Sequence, residues 1–238
     1  MAPPNRAVTL VHSSDIHIDG KASESFHQLC KVVDTAVRLH ADVLLLAGDV
    51  FDHNRLPLEQ IDRAARVLDD ARMPVVILPG NHDCLSADSV YRRGGLADVP
   101  AVHVLGVTSE EEWVSAEMGL EIWGRPHLDY HDYSPLVDPR PRTTRWQIAT
   151  AHGHWVRDER DRHRSWLIRS EEIAATGADY VALGHWPGAG AAGDGTVPAY
   201  YSGSPDLAQT VNVVRLQEGS EVEVVRAPLD GLNGETIH

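Results

Sequence analysis

Asp15-Ile16-His17, Gly48-Asp49-Val50-Phe51-Asp52, Gly80-Asn81-His82-Asp83, Ala151-His152-Gly153-His154 and Gly184-His185 recur along the chain as short polar islands beside apolar runs. Tyr201-Ser202-Gly203-Ser204-Pro205 closes the series. The first five islands supply carboxylate and amide oxygens and imidazole nitrogens, a donor set that suits divalent first-row metals such as Mn, Fe or Zn. Two such ions held together activate water for attack on phosphate esters. Taken singly, each island has an ordinary reading. Asp15-x-His17 could be a turn, Asp49 or Asp52 a helix cap, Gly80-Asn81 a turn with Asn in the left-handed region, and His152 and His185 hydrogen-bonded core histidines. Their joint occurrence in this order, at strand ends, favours a metal centre.

The elements that must position these donors are legible as apolar runs. Val8 to His12, Val43 to Ala47 and Val75 to Leu78 read as buried strands. Between them lie a helix from Ser23 to about His40, with Phe26, Leu29, Val33, Ala36 and Val37 on one stripe, and a helix opened by Pro57, with Ile61, Ala64, Ala65 and Leu68 facing in. Strand and helix alternate as in an α/β sheet. The second half is strand-rich: Val102 to Leu105, Leu120 to Trp123, Gln147 to Ala151, Tyr180 to Leu183, Ala199 to Ser202, Val211 to Leu216 and Glu221 to Arg226, the last two forming a hairpin. A helix from Ser170 to Thr176 precedes the Tyr180 strand. Ala41-Asp42 before one apolar run and Ala178-Asp179 before another echo each other, each run ending in Gly plus a metal donor, which suggests two related half-sheets. Leu128 to Arg145, Val156 to Arg169 and Pro187 to Pro198 read as irregular rim loops, and the tail beyond Leu229 as frayed. In open α/β sheets ligands bind beyond the carboxyl ends of strands, where the islands fall.

The 238 residues fit one domain over 1–238, with its core at about 8–226. No apolar run approaches the ~20 residues that span a bilayer, and the first residues lack the apolar stretch of a signal peptide. A cytoplasmic protein without membrane partners is the expectation. Cys30 and Cys84 are far apart and read as reduced bystanders. A net charge of −14 disfavours a general polyanion binder, although bound cations would reverse the local field.

The order of the islands resembles the calcineurin-like metallophosphoesterases, whose motifs run D-x-H, G-D-x-x-D, G-N-H-D, H and G-H-x-H. The resemblance covers roughly residues 8 to 205. Asp49-Val50-Phe51-Asp52-His53-Asn54-Arg55, together with the Tyr201–Pro205 island, is most similar to the DNA-repair exonuclease branch of the SbcD type. This implies an α/β four-layer αββα sandwich, with two mixed sheets face to face and helices outside. It also implies two divalent ions, Mn foremost, with Fe or Zn as alternatives. Asp15 and His17 would hold the first ion, Asp49 would bridge, and Asn81, His152 and His185 would hold the second. His82 would face the scissile phosphate, and Asp52 and Asp83 would orient histidines. The chain departs at Gly184-His185-Trp186-Pro187, where proline replaces the last histidine and leaves the first site weaker. His154 could compensate as a ligand, or could be a structural histidine. The repair nucleases carry a DNA-capping domain and an ATPase partner; no capping domain is evident here, and the ATPase partner rests on resemblance alone.

The expected reaction is hydrolysis of phosphodiesters by metal-activated water, in a nuclease or phosphodiesterase acting on single-stranded DNA or a nucleotide. A phosphomonoesterase of small metabolites or phosphoproteins is the alternative, and a non-catalytic metal-binding scaffold a third reading. Arg157, Arg160, Arg162, Arg164 and Arg169, with Arg140, Arg142 and Arg145, could line a phosphate groove or form solvated mixed-charge loops with the interleaved Asp158, Glu159 and Asp161. Trp155, Trp166 and Trp186 could stack on bases or simply pack.

Overall fold

Runs of Val, Leu and Ile that are apolar on both faces can be buried only where both sides of a sheet are covered. The computed structural model, which describes residues 7–20, 23–230 and 235–236, builds two such sheets. The chain runs β1 (Val8–Ser13), α1 (Ser23–Arg38), β2 (Val43–Ala47), α2 (Leu58–Asp69), β3 (Val75–Leu78) and β4 (Val102–Val104), four strands in parallel. It then crosses to β5 (Glu112–Ser115), β6 (Leu120–Trp123), β7 (Trp146–His152), β8 (His154–Trp155), β9 (Leu167–Ile168), α3 (Ser170–Ala175), β10 (Tyr180–Gly184), β11 (Gly190–Ala192) and β12 (Ala199–Tyr201). Finally α4 (Pro205–Ala208), β13 (Thr210–Leu216), β14 (Glu223–Pro228) and β15 (Glu235–Thr236) return to the first sheet. The sheet orders are β15-β14-β13-β1-β2-β3-β4 and β11-β12-β10-β7-β6-β5, with β8 and β9 paired apart. Both large sheets are mixed: in the first, β1 to β4 run parallel out to one edge and β13 to β15 are added antiparallel at the other, while the second has a parallel centre and antiparallel edge strands β5 and β11.

Three apolar clusters glue the layers. Val11, Leu44, Leu46 and Ile77 turn one face of the first sheet onto Phe26, Leu29, Ile61 and Leu68 of α1 and α2. The alternate residues Leu10, Val43, Leu45 and Val76 meet Ile122, Ile148, Tyr180 and Ala182 between the sheets. Ala149, Ala151, Val181 and Leu183 face outward under Ile168, Ile173 and Leu136. The outer layer on this side is thin, consisting of the short α3, the β8–β9 pair and loops. Among the described residues no helix is long and apolar enough to cross a membrane.

The echo between Ala41-Asp42 and Ala178-Asp179 has a structural basis. The Asp42 N–H donates to the Thr9 carbonyl while the Thr9 N–H donates to the Asp42 carboxylate. Asp179 and Gln147 make the same reciprocal pair at the start of β10. Each Asp thus fixes the register of a central strand against its neighbour. Elsewhere the expectations need correcting. Val37 is exposed, and Val32 takes its place on the buried stripe of α1. The Gly-rich stretch after Pro187 contains β11, and Glu112–Ser115 forms β5. Beyond Leu229, residues 231–234 and 237–238 lie outside the described residues, as does the leader expectation for residues 1–6, while Glu235–Thr236 pairs with β14.

Leu45 is fully buried between the sheets, directly behind the strand end that carries Asp49. Leu45→Ala is expected to cost about 2–5 kcal/mol of stability by urea denaturation. A change below 1 kcal/mol would mean that the sheets do not meet there.

Candidate metal centre

Asp15 and Asp49 lie just beyond the carboxyl ends of β1 and β2, Asn81 and His82 beyond β3, and His152 and His185 at the ends of β7 and β10. The two sheets present these ends to one cleft. Asp15, His17, Asp49 and His185 all have positive φ, at 56, 53, 51 and 96 degrees. Asp and His tolerate this region better than most residues, but it is costly without support. Here the support is a set of crossing bonds: the Asp15 N–H donates to Gly48 O, the His17 N–H to Asp49 O, and the His185 N–H to the Asp15 carboxylate at 3.0 Å. Gly48, at φ +94, and Gly184 must lack side chains. A Cβ on Gly48 would stand 2.0 Å from His152 Nδ1, and one on Gly184 would stand 1.9 Å from Ala47 O.

The ligand atoms of Asp15, His17 and Asp49 lie within 4.8 Å of one another. Asp15 is buried, and its Oδ2 accepts the Ser14 hydroxyl at 2.5 Å; Ser14 in turn touches Ser202 at 2.8 Å. The second group is tighter. His152 Nε2 is 3.0 Å from Asp49 Oδ2 and 3.1 Å from Asn81 Oδ1, and His185 Nδ1 is also 3.1 Å from Asn81 Oδ1. His152 Nδ1–H donates to the Ala47 carbonyl at 2.9 Å. That bond turns Nε2 of a neutral ring, as a lone pair, onto two oxygens. Such an arrangement calls for either a proton on Nε2 or a cation among the three atoms. The donor set therefore fits two divalent ions that share Asp49.

The electrostatics say the same. Burial pushes the Asp15 carboxyl up, and the charge of Asp49 adds to the shift. Burial also works against ionised Asp49, but His152 beside it outweighs this and holds its carboxyl well below the usual range. Burial disfavours the His152 imidazolium; Asp49 overcomes it and pushes the ring up to about 9. His185 goes the other way, lowered to about 3 by burial and by the positive His152.

His82 lies at the cleft mouth, its side chain 43% exposed. Its N–H donates to Asp49 Oδ1 and its Nδ1 bonds the Asp52 carbonyl at 2.8 Å, which leaves Nε2 free for a substrate. Asp52 approaches His17 Nδ1 at 3.3 Å and His82 Nδ1 at 3.4 Å, so it stands between two histidine rings. Asp83 differs from expectation. It is fully buried and accepts from Gly80 N–H, Phe51 N–H and the Tyr91 hydroxyl, with no histidine among these partners. It ties the loop after β3 to the loop after β2. Burial pushes its carboxyl up to about 6.

Pro187 is exposed, and its carbonyl accepts the Ser204 N–H at 3.0 Å. His154 is engaged away from the other donors. It is buried with Nε2 3.2 Å from Asp161, and its ring stands 6.4 Å from that of His185. Most arginines are engaged as mixed-charge loops require: Arg160 with Asp158, Arg162 with Glu159, Arg169 with Glu172, Arg140 with Glu111 and Glu112, Arg142 with Asp179 and Arg145 with Glu218. Trp166 packs edge-on against His127 and His185. His127 escaped the sequence reading. Buried after β6, it bonds the His152 carbonyl at 2.8 Å and backs that ligand. Gly124-Arg125-Pro126-His127 follows an apolar strand as the other islands do, and that position was its signal.

A family model described as calcineurin-like phosphoesterase matches residues 8–189. The DNA double-strand break repair protein Mre11 of Saccharolobus solfataricus is 27% identical over 220 residues, covering 84% of this chain and 55% of its own. The uncharacterized metallophosphoesterase YhaO of Bacillus subtilis is 24% identical over 200 residues, covering 75% of this chain and 48% of its own. The chain thus spans about half the length of these curated relatives. Among solved structures, a dimetal phosphatase from Danio rerio superposes with a TM-score of 0.58 at 12% identity, covering 97% of this chain and 98% of that one. A purple acid phosphatase from yellow lupin seeds gives 0.62 at 12% identity, covering 99% and 54%. These likenesses establish the fold.

Two results are expected from Mn²⁺ titration of metal-free protein. The Asp49–Asn81–His152–His185 set should bind the tighter ion and Asp15–His17–Asp49 the weaker; Asn81→Ala should abolish the tighter phase, and two equivalent ions would contradict the asymmetry. Because His152 must lose its proton to ligate, binding at pH 7 should release about one proton, read from calorimetry in buffers of different ionisation heat. Apparent affinity should rise about tenfold per pH unit up to about 9.

Proposed function

Because the chain belongs to the calcineurin-like phosphoesterase family, we propose that it is a metal-dependent hydrolase of phosphodiesters, acting as a nuclease or nucleotide phosphodiesterase. The observation that carries this reading is the meeting of Asp15, His17, Asp49, Asn81, His152 and His185 in one cleft, with His82 at its mouth. Bound there, two divalent ions, Mn²⁺ foremost, would supply Lewis acidity and an activated water.

The residues of the chain do the rest. Buried Asp49, Asp15 and the neutral imidazoles shape the pocket for cations, and bound cations would meet the negative phosphoryl group. His82 lies beside the first group, its ring 4.8 Å from that of His17. With Nδ1 committed to the Asp52 carbonyl, His82 can carry a proton at Nε2 and give it to the leaving oxygen. Asp52 steadies that ring from the side. The DNA-repair relative supports a diester substrate, and the exposure of the His82 ring leaves it open to one. An ATPase partner belongs to this reading only as a proposal by likeness.

His82→Ala is expected to lower kcat about 10²-fold or more on diesters with an alkyl leaving group. The loss should be far smaller with 4-nitrophenolate, which leaves without a proton. Equal losses on both would show that His82 does not protonate the leaving oxygen. In the same Mn²⁺ assays, Asp49→Ala should abolish turnover. Faster hydrolysis of 4-nitrophenyl phosphate than of its diesters or of single-stranded DNA would turn the assignment to a phosphomonoesterase, and no turnover of any ester would leave a binding scaffold.

A further inference from the structure

A cavity of about 120 Å³ opens beside the metal centre, lined by His154, Trp155, Arg157, Trp186, Tyr201 and residues 188–191. None of these side chains belongs to the ligand set, yet Trp186 follows His185 directly and the His154 ring bridges the two. It stands 5.6 Å from Trp186 and 6.4 Å from His185. Three features describe the occupant. The size suits one six-membered ring, since an engineered cavity of about 150 Å³ takes benzene. The walls are aromatic, with Trp155 and Tyr201 fixed by the Trp155 N–H donating to the Tyr201 hydroxyl and by that hydroxyl donating to Gly153 O. Two cations hang over the rim: the guanidinium carbons of Arg157 and Arg164 lie 5.2 and 6.0 Å from the Trp186 ring.

Arg157 and Arg164 stand apart from their neighbours. Arg160, Arg162 and Arg169 are paired with carboxylates, whereas neither Arg157 nor Arg164 has an ion-pair partner among the described residues. Gly190 and Ala191 add a further element. They belong to β11, the edge of its sheet, so one side of their backbone is unpaired by any strand and can read donors and acceptors on a ring edge.

We propose that this cavity is a subsite for the base of a nucleotide ester, sized for a pyrimidine, with Arg157 and Arg164 supplying positive charge for the phosphate next to that base. Base–aromatic stacking is sequence-tolerant and arginine adds to it. The kinetic part of the inference rests on the phosphodiester reading above; the binding part does not.

The test titrates the metal-free protein with thymidine 5′-monophosphate and with ribose 5-phosphate, by calorimetry and tryptophan fluorescence. Thymidine monophosphate should bind about 5- to 150-fold tighter, the range that one stacked base supplies. Trp186→Ala should remove that difference, Trp186→Phe should keep most of it, and Arg157→Gln should weaken the nucleotide several-fold. Equal affinities for the two ligands, or a Trp186→Ala protein that binds the nucleotide as the parent does, would overturn the proposal. Should Trp186→Ala fail to fold, Trp186→Phe and Arg157→Gln decide: a Phe variant that loses the difference, or a Gln variant without effect, counts against it. With the metal-loaded enzyme, the preference for thymidine 5′-(4-nitrophenyl phosphate) over methyl 4-nitrophenyl phosphate should fall about tenfold in Trp186→Ala, and an unchanged preference refutes the subsite. Absence of turnover on any ester would sink the phosphodiester reading while the binding titration still decides on the cavity.

Discussion

Two buried carboxylates, Asp15 and Asp49, share one cleft, and the organisation of the molecule follows from what that juxtaposition demands. Like charges in a dry pocket repel, and burial alone would protonate both. Without metal, a proton on His152 would offset the pair lopsidedly: His152 favours ionised Asp49, while burial still pushes Asp15 up. A divalent ion between the carboxylates would replace that proton and remove the imbalance. Metal binding is therefore also folding free energy, because ions that bind only the folded chain stabilise it.

The donors hold their places because the backbone leaves them little choice. Four of them occupy left-handed backbone, at about 1–2 kcal/mol each for ordinary residues. Two compensating bonds join neighbouring strand ends of the first sheet, Asp15 to Gly48 and His17 to Asp49, and a third crosses the cleft from His185 to the Asp15 carboxylate. One residue of the first sheet thus fixes the angle of a ligand from the second. His127 and Ala47 do the same for His152 by engaging its carbonyl and its Nδ1. Strain concentrated at the ends of rigid strands, with neighbours that over-determine it, is the pattern of a preorganised site.

The strands carrying donors were the most legible part of the sequence, because β2 and β3 are short, apolar on both faces and sharply ended by Gly-Asp and Pro-Gly. The islands pointed to the candidate ligands only jointly: each Asp, Asn or His has an ordinary reading alone, but together they follow buried strands that end at one cleft. What stayed hidden was contact between distant segments. Asp83 looked like a partner for histidine from its place beside His82, but it serves Tyr91 and two backbone amides. Ser14 and Ser202 meet across 188 residues, and nothing in either sequence neighbourhood announces it. β11 was missed because glycine and alanine carry no strand signal of their own; its pairing with β12 makes it a strand.

The departure at Pro187 has a second side. Here the segment after His185 turns outward: Pro187 is exposed, and its carbonyl is tied to the Ser204 N–H. Residues 186 and 188–191 then form a wall of the aromatic cavity before entering the edge strand β11. The stretch that withholds a donor from one ion therefore also lines the space beside the other. If the centre works with one firmly held ion and one weakly held ion, substrate positioning must come more from the protein and less from the metals. A ring held between Trp155, Trp186 and Tyr201, one residue from a ligand, would supply that positioning.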